Sequence, residues 1–137
     1  MRNVLNVGRR ESVSKIIADE DIQLFARATG DLNPVHLDEA YARKTPFKGR
    51  IAQGLLTAGL ISAVLANKLP GPGTIYLSQT LRFMSPVRIG DKITATVEVL
   101  SVAHRKIRLK TTCVNQHGTI VLSGEAEVLA PIAANSG

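Results

Sequence analysis

The stretch TGDLNPVHLDE, residues 29–39, places Asp31, Asn33 and His36 within six positions of one another around Pro34. A carboxylate can orient a water molecule or hold an imidazole, and a histidine titrates near neutrality. Together they suit acid/base work on a bound water. The same letters are good turn chemistry, and Asp38 and Glu39 suit the start of a helix, so local sequence leaves both readings open. A second candidate is Gln53-Gly54, which opens the apolar run IAQGLLTAGLISAVLAN, residues 51–67. The first N–H groups of a helix have no internal partner and lie at its positive end, where a carbonyl oxygen gaining negative charge is stabilised. Gly54 has no Cβ and lets a substrate come close to the backbone, although a tight start to a packed helix needs glycine equally.

These groups need elements to hold them. Residues 11–18 read as a first strand, after which Asp19 caps a helix with Ile22, Phe25 and Ala26 on one stripe, ending near Gly30. Pro34 is expected to keep Asn33 and Val35 out of steady helix, and Asp38 to cap a short helix through EAYARK. The run 51–67 is apolar almost all round, which predicts a helix enclosed on every side. LPGPG, residues 69–73, breaks the chain, and strands follow. The first is TIYLSQTLRF at 74–83. Next comes KITATVEVL, with Ile93, Ala95, Val97 and Val99 alternating. KIRLKTTCVN at 106–115 then leads through a Gln116-His117-Gly118 turn into TIVLSGEAEVL. Helices first and consecutive strands afterwards predict a single α+β domain over residues 1–137, an antiparallel sheet curved around the central helix, with 131–137 a frayed tail. Such a sheet leaves edges and helix surface uncovered, so self-association is expected.

Composition removes several alternatives. Seventeen Lys and Arg against eleven Asp and Glu give +6, which favours anionic partners. Aromatics are only 4% with no Trp, so stacking platforms for nucleic acid are lacking and no nucleic-acid partner is expected. The apolar run is short of the about 20 residues a span requires and is interrupted by Gln53, Thr57, Ser62 and Asn67. MRNVLNVGRRESVSK shows no secretory pattern, so neither membrane insertion nor export is expected, and the predicted compartment is the cytoplasm. Cys113 shares an alternating face with Ile107, Leu109 and Thr111 and reads as a buried structural thiol. His36, His104 and His117 lack metal-site spacing, and no phosphate-binding glycine fingerprint or GxSxG elbow occurs.

ATGDLNPVHLD, together with the segment from GRIAQGLL through LPGPGTIYLSQTLRF to ITATVEV, closely resembles the MaoC-like (R)-specific enoyl-CoA hydratases, which have the hot-dog fold. The resemblance covers roughly residues 12–129, and its GDxNPxH core is a specific signature. It implies that Asp31 and His36 jointly hold one water against C3 of a trans-2-enoyl thioester, with Asn33 the polar residue between them. It implies that the Gly54 N–H polarises the thioester carbonyl, and that Ser62 matches a serine near the same pocket; a hydroxyl bonded back to a helix carbonyl is the plainer role for Ser62. The implied reaction is syn addition of water giving an (R)-3-hydroxyacyl-CoA, or the reverse dehydration, in a homodimer or higher homo-oligomer and with no metal or redox cofactor. One departure stands out. The family usually has His-Gly where this chain has Gln53-Gly54, which is expected to alter rate or substrate preference because Gln carries no proton at neutral pH.

Two other functions fit the same fold: thioester hydrolysis, and binding of acyl-CoA without catalysis. The pairing of Asp31 with His36 favours hydration, since a binder needs neither. Arg82, Arg88, Lys92, Arg105 and Lys106 suit a solvated strand face as well as CoA phosphates and are not assigned to a site.

Overall fold

In the computed structural model, residues 5–132 are described. Strand β1 spans Arg10–Ile16, and helices α1 (Asp19–Thr29), α2 (Pro34–Leu37), α3 (Glu39–Arg43) and α4 (Gly54–Asn67) follow. Strands β2 (Ile75–Gln79), β3 (Arg82–Phe83), β4 (Lys92–Ala103), β5 (Lys106–Val114) and β6 (Ile120–Leu129) complete the chain. One antiparallel sheet runs in the order β1-β4-β5-β6-β2, with β3 also on β6. Register slips between Tyr76 and Ser78, between Val99 and Ser101, and between Cys113 and Val114 bend it, since a bulge kinks its strand and increases local twist.

The alternation expected in β4 and β5 is observed: Ile93, Ala95, Val97 and Val99, then Ile107, Leu109, Thr111 and Cys113, are all buried. All but Thr111 form one core with Ile61, Val64 and Leu65 of α4. Burial pushes the Cys113 thiol up to about 12, as suits a structural cysteine. Contrary to the expectation from its apolar sequence, α4 is not enclosed on every side. Thr57, Ile61, Val64 and Leu65 face the core, whereas Leu55 is 58% exposed and Gly59 and Ala66 lie on the open side. Apolar composition says how much of a helix prefers burial, and this chain alone supplies too little surface to cover it all.

Other elements also depart from the reading above. Asp19 does not cap α1: Ala18 is the N-cap residue, and Asp21 reaches back to accept its N–H at 2.9 Å. Asp19 instead bonds Arg50, whose guanidinium holds its carboxyl below the usual range. Val35 is helical after all, because Pro34 occupies the first position of α2, where its fixed φ fits and its missing N–H costs nothing. The expected strand 74–83 is broken after Gln79 into β2 and β3. At the break, Thr80 passes so close to Gly124 of β6 that a Cβ there would lie 1.8 Å from the Thr80 carbonyl oxygen. Asp38 does cap α3, accepting the Tyr41 N–H at 3.1 Å, and Gly30 ends α1 with φ 78°. Pro131, expected to fray, is buried beside Gly73, while 133–137 of the expected tail lie outside the described residues.

The Asp19–Arg50 link makes acid sensitivity testable. A carboxyl whose folded pKa is depressed contributes stability above its ordinary value and loses it as pH falls through the lowered one. Melting temperatures of the parent and Asp19→Asn therefore differ most at pH 6, and the gap closes as pH is lowered past Asp19's depressed value. A gap that stays constant down to pH 2 rules the link out as a source of that acid sensitivity.

Candidate active site

α1 ends where the chemistry begins. The Thr29 hydroxyl donates to the Phe25 carbonyl at 2.7 Å and accepts the Asp31 N–H at 3.2 Å. Asp31 Oδ1 then accepts the Asn33 N–H at 3.2 Å, which leaves the rest of its carboxylate free to work. The Asn33 carboxamide oxygen accepts the Val35 N–H at 3.2 Å and so caps α2. That one-turn helix delivers His36, buried, to the segment before α4. There His36 Nδ1 lies 2.8 Å from the Ile51 carbonyl oxygen. A carbonyl can only accept, so Nδ1 carries the hydrogen of this bond. Arg50 braces the same turn, with Nε donating to the His36 carbonyl at 2.7 Å while the guanidinium grips Asp19.

Asp31 and His36 both line a cavity of about 400 Å³. Neither bonds the other, and each is left free for a third party. Gly54 lines the cavity too, together with Gln53, Leu55 and Thr57 of the same helix start. Intrahelical bonding in α4 begins with Leu56 and Thr57 donating to the Gln53 carbonyl, so the Gly54 and Leu55 N–H groups precede the ladder. A Cβ at position 54 would lie 2.5 Å from Cε1 of Phe83, whose ring forms another wall, so any side chain there obliges that ring to move.

Sequence and structure agree on Asp31, His36 and Gly54 as neighbours of one cavity. Asn33 is near Asp31 but engaged as a cap, and it does not line the cavity. Ser62 lies elsewhere, in a shallow groove between α4 and β2 with Gly59, Tyr76 and Leu77. Three contributors escaped the sequence reading: Arg50, the Ile51 carbonyl and Thr57. Only Thr57 carried a signal, as a hydroxyl one helical turn beyond Gln53 in an otherwise apolar run. Among the described residues no cluster of His, Cys, Asp or Glu could hold a metal ion, and no helix is long and apolar enough to cross a membrane.

A curved antiparallel sheet packed on one helix, with Asp31 and His36 lining a cavity beside that helix's N-terminus, defines an α+β hot-dog protein. The chain belongs to the MaoC-like domain family, whose model matches residues 3–121. It is 50% identical over 126 residues to a protein of Rhodospirillum rubrum named (R)-specific enoyl-CoA hydratase, covering 90% of this chain and 87% of that one. It is 51% identical over 128 residues to the 3-hydroxybutyryl-CoA dehydratase of Methylorubrum extorquens, covering 93% and 82%. Its fold matches the unliganded R-hydratase PhaJ1 of Pseudomonas aeruginosa with a TM-score of 0.88 at 52% identity, over 93% and 83% of the two chains.

Proposed function

We propose that this chain is an (R)-specific enoyl-CoA hydratase, equally a 3-hydroxyacyl-CoA dehydratase, that adds water reversibly to a trans-2-enoyl-CoA. The observation carrying this reading is that Asp31, His36 and Gly54 line one cavity. The Gly54 N–H accommodates the thioester oxygen as enolate charge develops, and Asp31 and His36 hold one water against C3. The water oxygen bonds C3 while one of its protons passes to the pair, with His36 Nε2 the receiving atom. The pair returns a proton to C2 on the same face, so the side chains end as they began. Dehydration reverses each step with the same groups.

A second copy of the chain is assigned to the uncovered surface of α4 and the edge strand β2. Leu55, Ile75 and Leu77 are exposed there at 58%, 50% and 47%, beside the groove that holds Ser62. Ser62 is thus assigned to the subunit boundary, Asn33 to the positioning of Asp31, and the enzyme to the cytoplasm. Incubation of the purified protein with crotonyl-CoA tests the reaction. The expected result is loss of enone absorbance, reversible from the (R)-3-hydroxy product, without release of free thiol. Thiol release identifies a thioesterase instead, and an unchanged spectrum a protein that only binds.

A further inference from the structure

Arg88, one of the cations left without a role in the sequence, is half-buried and turns its guanidinium toward the chain that precedes α4. Nη2 donates to the Phe47 carbonyl at 2.5 Å and Nη1 to the Gly49 carbonyl at 3.2 Å. Between those two carbonyls sits Lys48, with φ 61°, a left-handed backbone that a residue with a side chain seldom adopts. Such a conformation persists only where the surroundings enforce it. The Lys48 N–H closes a turn on the Thr45 carbonyl at 3.0 Å, and Arg88 fixes the carbonyl on either side.

The clamp has a firm base and holds a part of the site. The Arg88 N–H donates to Asp91 Oδ2 at 2.8 Å, and Asp91 is tied to β1 and to the turn after β5 through the Ile17 N–H and the Gln116 carboxamide, each at 2.9 Å. At the other end, Phe47 lines the cavity, and two residues after Gly49 the Ile51 carbonyl accepts the hydrogen of His36 Nδ1. The Ala52 N–H then donates to the Val87 carbonyl at 2.7 Å. Residues 47–52 are thus fastened to 87–88 by three bonds, two of them from one guanidinium, and the His36 ring is aimed by an acceptor inside the fastened segment.

We propose that Arg88 is a positioning residue for His36: by holding Lys48 left-handed it fixes the segment whose Ile51 carbonyl aims the imidazole. The effect on turnover rests on the hydratase reading above. Without the guanidinium, Lys48 relaxes toward negative φ, the carbonyls of Phe47 and Gly49 turn, and the Ile51 acceptor shifts beneath the ring. Glycine at 48 takes the left-handed conformation without that restraint.

The experiment measures crotonyl-CoA hydration in the parent, Arg88→Met, Arg88→Lys, Lys48→Gly and the double variant of Arg88→Met with Lys48→Gly. Methionine keeps much of the stem and removes the donors; lysine keeps one donor group. The expected result is that Arg88→Met lowers kcat about tenfold and changes KM less, a displacement smaller than the about 1 Å that costs about a hundredfold. Arg88→Lys falls between the two. Lys48→Gly alone keeps the parent's kcat, and in the double variant it restores most of what Arg88→Met lost. A residue that only props the fold lowers the melting temperature and leaves the kcat of the folded protein alone. That result in Arg88→Met overturns the proposal, and so does a double variant no faster than Arg88→Met. Should Arg88→Met not fold, Arg88→Lys replaces it, alone and with Lys48→Gly, under the same two outcomes. NMR spectra of the histidine ring nitrogens add a readout besides activity: the His36 Nδ1–H signal, slow to exchange in the parent, broadens in Arg88→Met and sharpens again in the double variant. A parent that hydrates no crotonyl-CoA sinks the hydratase reading, while the spectra still decide whether Arg88 aims the ring.

Discussion

Asp31→Asn lowers kcat for crotonyl-CoA hydration by about a hundred- to ten-thousandfold, the usual worth of a positioned acid/base group. The melting temperature stays close to the parent's. Both outcomes follow from the same geometry. Asp31 is exposed at the cavity mouth and its one backbone bond is the Asn33 N–H, which an asparagine oxygen accepts equally well. In the proposed mechanism, what disappears is the negative charge that orients the water and supports the imidazole as it takes a proton. His36 is different because it also holds the fold: His36→Ala leaves the Ile51 carbonyl without its side-chain donor and opens a hole beneath α2. His36→Asn separates the roles, since a carboxamide N–H can replace the bond to Ile51 while offering no titratable nitrogen. Its activity falls as far as that of His36→Ala, and its stability falls less. Near-normal turnover by either Asp31→Asn or His36→Asn, with the protein folded, removes these residues from the chemistry.

Gly124→Ala is expected to be the most damaging single methyl in the sheet, at about 3 kcal/mol or more, the upper range for overpacking. For a chain of this size that lowers the melting temperature by about 10 °C. The new carbon would lie 1.8 Å from the Thr80 carbonyl oxygen and 2.7 Å from its carbon, and backbone atoms cannot swing aside as a side-chain tip does. Relief requires pulling Thr80 from β6, where its N–H donates to the Glu125 carbonyl at 2.9 Å and its hydroxyl accepts the Glu125 N–H at 3.0 Å. Three residues onward is Phe83, a wall of the cavity, so activity should fall with stability. Urea denaturation decides it: a change within about 0.5 kcal/mol, typical of harmless surface substitutions, means the strands separate there without cost.

The parts of this molecule that were legible in its sequence are those fixed by local periodicity. Alternation in KITATVEVL and KIRLKTTCV survives because every second residue meets the same core, and Asp38 and Gly30 act as caps through bonds within four residues of themselves. What stayed hidden depends on partners far away in sequence. The orientation of the His36 ring is set by Ile51, fifteen positions on, and that of Gln53 by the Ile22 carbonyl, thirty-one positions back. Among the acids at 19–21, the backbone angles of Ala18 chose Asp21 rather than Asp19 to reach the helix start, a choice composition does not contain. For the site, the motif placed Asp31 and His36 together, and three-dimensional packing was needed to show Asn33 serving as a cap and Ser62 lying in another groove.

Cys113 gives the molecule a built-in clock. It is the chain's only thiol, fully buried on β5, and its burial keeps it protonated far above neutral pH. A soluble alkylating reagent needs the thiolate and a path to it. In the native sheet it has neither, so the rate at which reagent is consumed reports how often the β5 region opens, with no label or substitution added.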